Sequence, residues 1–321
     1  MQNHDYDLYI IGPITIDYDE FQGRVQPILG GPVVFSAYAA QGSGYHVGLL
    51  AKLAEADRYV EQLIYLRDME ILPTEKSTSV RVIYPGNDRN TRELLVLSLI
   101  DPFRPADIPE VSAACYQIVG NINGQIDYAL FPMLAQRGKI ACDMQGFVRE
   151  VQPDRTVEAK DWPEKRQYLP YIDYLKVDAD EAFTMTGERD RIKAAEILYG
   201  WGAKEVLLTH QDEVLVYDGR PHVVPFRPEN TSGRSGRGDT TIGCYAAERT
   251  RHGVDAALLY TAALVSMKLG KFGPFRGNRD DVLRFAETHY PEYLNEDIRR
   301  ELSCGLRSLP AGDDRQEEKG K

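Results

Sequence analysis

Mostly apolar runs of four residues recur along this chain and end at polar or glycine-containing segments. These runs lie at 8–11, 47–50, 117–120, 139–142, 174–177 and 206–209. Runs of this kind predict strands that are buried on both faces of a sheet. Helical patterns separate most of them, at 32–41, 55–68, 124–137 and 188–200. The alternation predicts an α/β fold with a mainly parallel sheet that helices cover on both sides.

Two segments interrupt this alternation, at 13–30 and 77–100. The second contains two β-rich runs, 79–84 and 91–97, on either side of a Pro-Gly-Asn-Asp-Arg string, which predicts a hairpin. A β-rich excursion from an α/β core is typical of a lid or an interface. An ordinary antiparallel extension of the sheet edge is the alternative.

Length and charge narrow the class of protein. A chain of 321 residues that is 43% hydrophobic can form one large α/β domain with a small appendage, or two domains of about 150 residues. The chain has 49 acidic and 38 basic residues and a formal net charge of -11. No nucleic acid is expected as a partner, because nucleic-acid binding needs a basic face. A local basic pocket for an anionic ligand is still compatible with this charge.

The cysteines and the hydropathy predict a location. Cys115, Cys142, Cys244 and Cys304 form no CxxC pair and no zinc spacing, so free thiols in a reducing compartment are expected. No apolar run reaches 18 residues and the first residues show no signal-peptide pattern, so no membrane is expected and a cytoplasmic location is predicted. The polar tail at 310–321 is predicted to be disordered.

The most informative string is Gly-Arg-Ser-Gly-Arg-Gly-Asp-Thr-Thr-Ile-Gly at 233–243, which leads into a helical stripe of Ile242, Tyr245 and Ala246. A glycine-rich turn at a helix N-terminus directs backbone N–H groups at one point, which attracts phosphate. Asp239 at such a site is suited to take a proton from an attacking hydroxyl. The string has neither GK[ST] nor GxGxxG. The alternative is a plain loop with Asp239 as the helix N-cap.

Three segments together resemble the ribokinase-like (PfkB-type) carbohydrate kinases. Gly236-Arg237-Gly238-Asp239 resembles the Gly-Ala-Gly-Asp of the second family signature, and Leu-Gly-Gly-Pro-Val-Val-Phe-Ser-Ala at 29–37 is similar to the first. The segment 174–182 resembles the family's lysine–proline–asparagine–x–x–glutamate. The resemblance covers roughly residues 5–290. It implies a ribokinase-like three-layer sandwich in a single domain, 1–309, with a small β lid from about 13–30 and 77–100.

The resemblance also implies roles for the glycine-rich string and for polar residues near strand ends. Asp239 would be the base, and the backbone of Gly236, Arg237 and Gly238 would stabilise charge on the phosphate. The expected substrate-binding residues are Asp17, Gly30, Gly31, Gln145 and Arg149. Asp17 would accept hydrogen bonds from vicinal hydroxyls. A solvated loop acid at Asp17 and a plain turn at Gly30-Gly31 are the alternatives.

The nucleotide and metal residues depart from the family pattern. Thr209 and His210 are expected at the nucleotide, but Gln211 stands where the family has glycine, which puts these contacts in doubt. Asp178 and Glu181 are expected to hold Mg²⁺ through water. The family has asparagine at the first of these two positions, and a helix cap is an alternative role for Asp178.

Arg237 replaces the family's alanine. Its side chain, with that of Arg234, adds positive charge beside the phosphates or points to solvent.

The resemblance implies a kinase that transfers the γ-phosphoryl group of ATP to a hydroxyl of a small sugar or polyol, with Mg²⁺ as cofactor. A monovalent cation is a further candidate cofactor, and a homodimer through the lid is a candidate assembly. The segments 143–149 and 78–92 are similar to the inositol-kinase-like branch. Two alternatives stay open: a nucleoside kinase of the same superfamily, and a catalytically weak homologue that binds a sugar or nucleotide as a sensor.

Overall fold

The computed structural model describes residues 4–86 and 92–303. The strands are β1 (Tyr6–Ile11), β2 (Thr15–Phe21), β3 (Arg24–Gly30), β4 (Val47–Ala54), β5 (Asp68–Thr74), β6 (Ser79–Tyr84), β7 (Glu93–Ser98), β8 (Ala113–Val119), β9 (Lys139–Asp143), β10 (Arg149–Val151), β11 (Val157–Ala159), β12 (Tyr174–Asp178), β13 (Glu205–Thr209), β14 (Glu213–Tyr217) and β15 (Pro221–Pro225).

The α-helices are α1 (Pro32–Gly42), α2 (Leu130–Leu134), α3 (Gln145–Val148), α4 (Lys165–Tyr168), α5 (Ala179–Thr186), α6 (Arg191–Gly200), α7 (Arg237–Glu248), α8 (Val254–Leu269), α9 (Arg279–His289) and α10 (Glu296–Ser303). Short 3₁₀ helices span Glu55–Leu63, Pro105–Asp107 and Leu169–Tyr171.

The central sheet has nine strands in the order β15-β14-β13-β12-β9-β8-β1-β4-β5. The strands from β13 to β5 are parallel to one another, and β14 and β15 add an antiparallel edge. The mainly parallel sheet predicted from the apolar runs is therefore confirmed. Parallel strands end at one edge of a sheet, so the segments that follow β1, β9, β12 and β13 lie on the same side.

Two hydrophobic cores sandwich this sheet, because successive side chains of a strand point to opposite faces. Leu8 and Ile10 pack into one core with α1, α7 and α8, while Tyr9 and Ile11 pack into the other with α2, α5 and α6. The predicted three-layer sandwich is thus confirmed.

A second, separate sheet has the order β3-β2-β6-β7. The strands β2 and β3 form an antiparallel hairpin, and β6 pairs with β2 in parallel and with β7 antiparallel. Both segments that interrupt the α/β alternation thus meet in one small sheet, which is not an extension of the central sheet. Residues 87–91, between the two strands of the predicted hairpin, lie outside the described residues.

Two predicted helices were wrong in part. The segment 55–68 contains the 3₁₀ helix Glu55–Leu63 and then leads into β5. This edge strand is only half-buried, so it has no continuous apolar run. The segment 124–137 is helical only at Leu130–Leu134. Pro132 restricts this helix because proline is compatible only with a first turn. No element was predicted for β14 and β15.

Three further predictions concern the cysteines, the C-terminal tail and the membrane. Cys115, Cys142 and Cys244 are buried and free, as predicted. Cys304 and the tail at 310–321 lie outside the described residues. Within the described residues, none of the helices has the length and apolar character that crossing a membrane requires.

The helices α1 and α7 lie unusually close because glycines stand at their contact. A Cβ atom built at Gly243 would overlap the Cα atom of Ser36 and lie 2.6 Å from its carbonyl oxygen. At Gly236 it would overlap the ring of Phe35. This close approach brings the start of α7 against α1.

We expect Gly243→Ala to lower the free energy of unfolding by about 1–3 kcal/mol, because the added methyl group would meet backbone that cannot move away. Gly200→Ala is the matched control: Gly200 is also helical, but no atom lies within 4 Å of its Cβ position. Its substitution should leave stability unchanged or raise it by about 0.4–1 kcal/mol. Urea unfolding of both variants tests the packing, and equal effects would contradict it.

Candidate active site

The glycine-rich turn ends in the N-terminus of α7. Gly236 is the N-cap, with a left-handed φ of 75° that favours glycine. The first hydrogen bond along the helix runs from the N–H of Thr240 to the carbonyl of Gly236. The N–H groups of residues 236–239 therefore have no partner within the helix, as the predicted anion hole requires.

Asp239 is the third residue of α7 and is not its N-cap, so the plain capping role considered for it was wrong. The side-chain amide of Gln145 donates to Asp239 Oδ1 at 2.9 Å. The hydroxyl of Ser36 donates to the Asp239 carbonyl at 2.8 Å and itself accepts from Gln117 Nε2 at 2.8 Å. Asp239 is thus held from both its side chain and its backbone.

The Asp239 carboxyl group lies in an environment suited to a general base. Burial raises its pKa, while the charges of Lys176 and Arg149 and the hydrogen bond from Gln145 oppose this rise. A base with a raised pKa is a better proton acceptor, and the neighbouring cations keep its ionised form accessible.

A buried ammonium group lies under this anion hole. Lys176, near the end of β12, is 5% exposed in its side chain and forms ion pairs with Asp143 at 3.1 Å and Glu181 at 3.3 Å. A Cβ atom on Gly238 would lie 2.8 Å from Lys176 Nζ. Burial alone would lower the pKa of Lys176, but Asp143 and Glu181 raise it above its usual value. No role was predicted for Lys176 or Asp143 from the sequence.

Asp178 and Glu181 form the N-terminal cap of α5. Asp178 Oδ1 accepts from the N–H of Glu181 at 2.8 Å, and Glu181 Oε2 accepts from the N–H of Asp178 at 2.8 Å. Burial raises the pKa of Glu181 to about 7, and Lys176 opposes that rise. The other oxygen of each carboxylate, Asp178 Oδ2 and Glu181 Oε1, takes no part in this cap. The residues that the structure describes include no cluster of three or more His, Cys, Asp or Glu that could hold a metal.

Arginines supply positive charge around Asp239. Arg149 donates to Asn121 Oδ1 at 3.2 Å and favours the ionised form of Asp239. Arg92 is exposed to solvent, but desolvation by nearby protein atoms and then the Arg149 charge lower its pKa, while Asp239 opposes this. Burial and then the Arg234 charge lower the pKa of Arg237, which is half-buried. Arg237 therefore does not simply extend into solvent.

Asp17 lies in β2 of the small sheet and is held by two donors. The hydroxyl of Thr15 donates to Asp17 Oδ2 at 2.7 Å, and the N–H of Val80 donates to Oδ1 at 3.0 Å. Burial raises the pKa of Asp17 to about 6, and these two hydrogen bonds oppose the rise. Asp17 is thus a half-buried strand residue and not a solvated loop acid.

Gly30 and Gly31 lie where β3 meets α1, close to Asp17. A Cβ atom on Gly30 would lie 2.7 Å from Asp17 Oδ2. Gly31 is the N-cap of α1, with a φ of 105°, and a Cβ atom there would lie 2.8 Å from the Pro13 carbonyl oxygen. These glycines allow the strand, the helix and the Asp17 carboxylate to meet without an intervening side chain.

Thr209 and His210 lie at the end of β13, beside the end of β12. Thr209 pairs in register with Asp178 and is buried. His210 is half-buried, its Nδ1 atom lies 3.7 Å from Asp212, and its N–H donates to the Glu213 carbonyl at 3.0 Å. A short turn therefore replaces the glycine-containing loop of the family, and its role towards a nucleotide stays a prediction.

The chain is similar to known kinases in both sequence and fold. No family model matches the chain. A cytidine kinase from Thermococcus kodakarensis is 27% identical over 257 residues, which are 76% of this chain and 89% of that protein. The Arabidopsis thaliana ribokinase in complex with ribose and ATP is 16% identical, with a TM-score of 0.67 over 87% of this chain and 98% of that one, and shares the fold.

A pyrophosphate-dependent kinase of the ribokinase family has been solved in complex with a pyrophosphate analog and myo-inositol. It is 30% identical to this chain, and the superposition has a TM-score of 0.78. The match covers 86% of this chain and 99% of that one. The chain therefore belongs to the ribokinase family of kinases.

Proposed function

We propose that this kinase transfers the terminal phosphoryl group of a polyphosphate donor to a hydroxyl of a small sugar or polyol. The observation that carries the proposal is the position of Asp239 beside the open N–H groups of residues 236–239, with its carboxylate held by Gln145. An anion hole and a base in contact are the two parts that such a transfer needs.

In the proposed reaction, the acceptor oxygen forms a bond to the terminal phosphorus while the bond from that phosphorus to the bridging oxygen of the donor breaks. The Asp239 carboxylate takes the proton of the acceptor hydroxyl. The N–H groups of Gly236, Arg237 and Gly238 stabilise the charge that develops on the transferred phosphoryl group. Lys176 and Arg149 add fixed positive charge.

Mg²⁺ is proposed to accompany the donor, where it would neutralise phosphate charge. The second carboxylate oxygens of Asp178 and Glu181 would hold it through water, because Mg²⁺ keeps several of its waters when bound. Asp178 Oδ1 and Glu181 Oε2 cap α5, so both carboxylates are already fixed in orientation.

We expect Asp239→Asn to lower kcat by roughly 10²–10⁴-fold, the range for loss of a general base, with little change in donor affinity. Asp280→Asn is the control, since Asp280 is also an acid in the first turn of a helix but is exposed. Steady-state kinetics and donor titration measure both effects. Near wild-type turnover in Asp239→Asn would remove the base from the mechanism. Ligand binding by an inactive wild type would favour the sensor alternative.

The proposed acceptor is a polyol or sugar, because Asp17 offers a held carboxylate beside Gly30 and Gly31. Its oxygens already accept from Thr15 and Val80, and each oxygen can accept a further hydrogen bond from a vicinal diol. The related structure with myo-inositol supports a polyol acceptor, while the related cytidine kinase supports the nucleoside alternative.

We expect Asp17→Ala to lower kcat/KM for the preferred polyol by roughly ten- to a hundredfold, because acceptor hydroxyls lose a buried partner. The KM for the donor should change far less. Glu20→Gln on the same strand is the control, since Glu20 faces the other side and lies 3.5 Å from Arg81. Wild type and variants are assayed with myo-inositol, simple sugars, adenosine, guanosine and cytidine. Turnover of a nucleoside alone would overturn the polyol proposal but keep the kinase.

ATP is the donor predicted from the sequence, and a second candidate is pyrophosphate. Arg92, Arg149 and Arg237 concentrate positive charge near Asp239, which suits a compact polyanion without a base or ribose. The short turn after Thr209 and the related pyrophosphate-dependent kinase also favour this candidate.

Donor choice is tested by ³¹P NMR of the wild type with the accepted polyol and either ATP or pyrophosphate. ATP would yield ADP, and pyrophosphate would yield orthophosphate. With the donor that is used, we expect Arg237→Ala to raise KM by roughly ten- to a hundredfold, because a charge-assisted contact is lost. Arg300→Ala, at an exposed arginine of α10, is the control. A wild type that uses neither donor would contradict the proposed transfer.

The homodimer through the lid stays a prediction. The feature that supports it is the edge strand β3 of the small sheet, where the side chains of Val25 and Ile28 are 49% and 40% exposed. An edge strand with exposed apolar residues is suited to pair with another chain.

A further inference from the structure

The turn that leads into the anion hole is docked on the C-terminal end of α8. The N–H of Gly233 donates to the Leu269 carbonyl at 2.8 Å, and the hydroxyl of Ser232 donates to the Gly270 carbonyl at 3.1 Å. A Cβ atom on Gly233 would overlap the carbonyl of Lys271, so the contact needs glycine here. The end of α8 therefore determines where this turn lies.

Lys268, in the last turn of α8, connects that helix to the same turn through its side chain. Its ammonium group donates to the carbonyl oxygens of Gly233 and Ser235, and it lies 5.2 Å from the ring centroid of Phe35. The residue is only 2% exposed. The partners of this ammonium group in these contacts are thus two carbonyl oxygens and an aromatic ring, each of which favours a positive charge.

This charge lies within electrostatic reach of the base. Burial lowers the pKa of Lys268 to about 8, and the negative charge of Asp239 opposes that effect. The ammonium form therefore predominates at neutral pH. Phe35 lies under both Lys268 and Gly236, the N-cap of α7, so the lysine, the ring and the anion hole form one packed unit.

We propose that Lys268 is a positioning residue for phosphoryl transfer. Its ammonium group holds the carbonyls of Gly233 and Ser235, which fixes the turn that directs the N–H groups of residues 236–239 at the phosphate. It also supplies a fixed positive charge behind the anion hole. The proposal rests on the proposed function, since it assigns how the anion hole of that reaction is held in place.

A neutral side chain in this place would have two effects. The carbonyls of Gly233 and Ser235 would lose their buried donor, which favours a shift of the turn. The anion hole would also lose a nearby positive charge. A displacement of catalytic groups by about 1 Å can cost on the order of 10²-fold in rate, so the effect should fall on kcat.

The test compares Lys268→Met with Lys271→Met, a matched control at an exposed lysine three residues later. Turnover is measured with the accepted donor and polyol. We expect Lys268→Met to lower kcat by roughly ten- to a hundredfold while KM for the polyol changes little.

Lys268→Ala should show the same loss of kcat. Added methylammonium or ethylammonium should restore part of the kcat of Lys268→Ala, since the small cation can occupy the vacated position. The control should keep wild-type kcat.

A second measurement does not need turnover. Calorimetric titration with sulfate measures anion binding without any reaction, and we expect the Kd for sulfate to rise by about tenfold in Lys268→Met and to stay unchanged in Lys271→Met. If Lys268→Met does not fold, Lys268→Leu replaces it, since leucine also lacks both the charge and the N–H donor. Thermal unfolding checks that each variant is folded.

The outcomes separate this inference from the proposed function. A wild type that binds sulfate but phosphorylates no acceptor contradicts the proposed function, while the sulfate comparison still decides the role of Lys268 in the anion hole. A folded neutral variant with kcat and sulfate Kd within twofold of wild type overturns the role of Lys268. A second combination of results also overturns the role of Lys268. In it, neither ammonium compound restores the kcat of Lys268→Ala, and sulfate binding is lost in both Lys268→Met and Lys271→Met.

Discussion

The buried ammonium group of Lys176 is the interaction on which the geometry of this site depends. It lies between Asp143 at the end of β9 and Glu181 in α5, and it contacts the start of α7 at Gly238. A buried charge is tolerated only when its partners are in place, so removing one of them is strongly destabilising. Elements that are far apart in the chain are thereby held in one arrangement, and the anion hole lies directly above it.

Local charge matters more for this site than the charge of the whole molecule. The chain has a formal net charge of -11. Nevertheless the charges of Arg92, Arg149 and Lys176 act on Asp239, and the Arg92 charge acts on Arg237. An acidic protein thus concentrates positive charge at one site, where burial raises the pKa of Asp239. Burial decides how strongly these charges act, because the protein interior screens them less than water does.

Close packing between helices gives Asp239 a second support through its backbone. Glycine at 243 lets α7 approach the backbone of Ser36 in α1, and the Ser36 hydroxyl then reaches the carbonyl of Asp239. Gln117 on β8 orients that hydroxyl. The central sheet, α1 and α7 are therefore coupled by one chain of hydrogen bonds.

The sequence by itself determined the alternation of strands and helices, the hairpin in the small sheet and the glycine-rich turn before Asp239, because each depends on local pattern. It missed the edge strand β5, whose half-buried residues leave no apolar run. It also gave no role to Lys176, Ser36 or Lys268. Their importance comes from partners 5 to 203 residues away, as in the bond from Ser36 to Asp239. Only the tertiary structure brings such groups together and removes water from them, and burial is what turns an ordinary lysine or serine into part of the site.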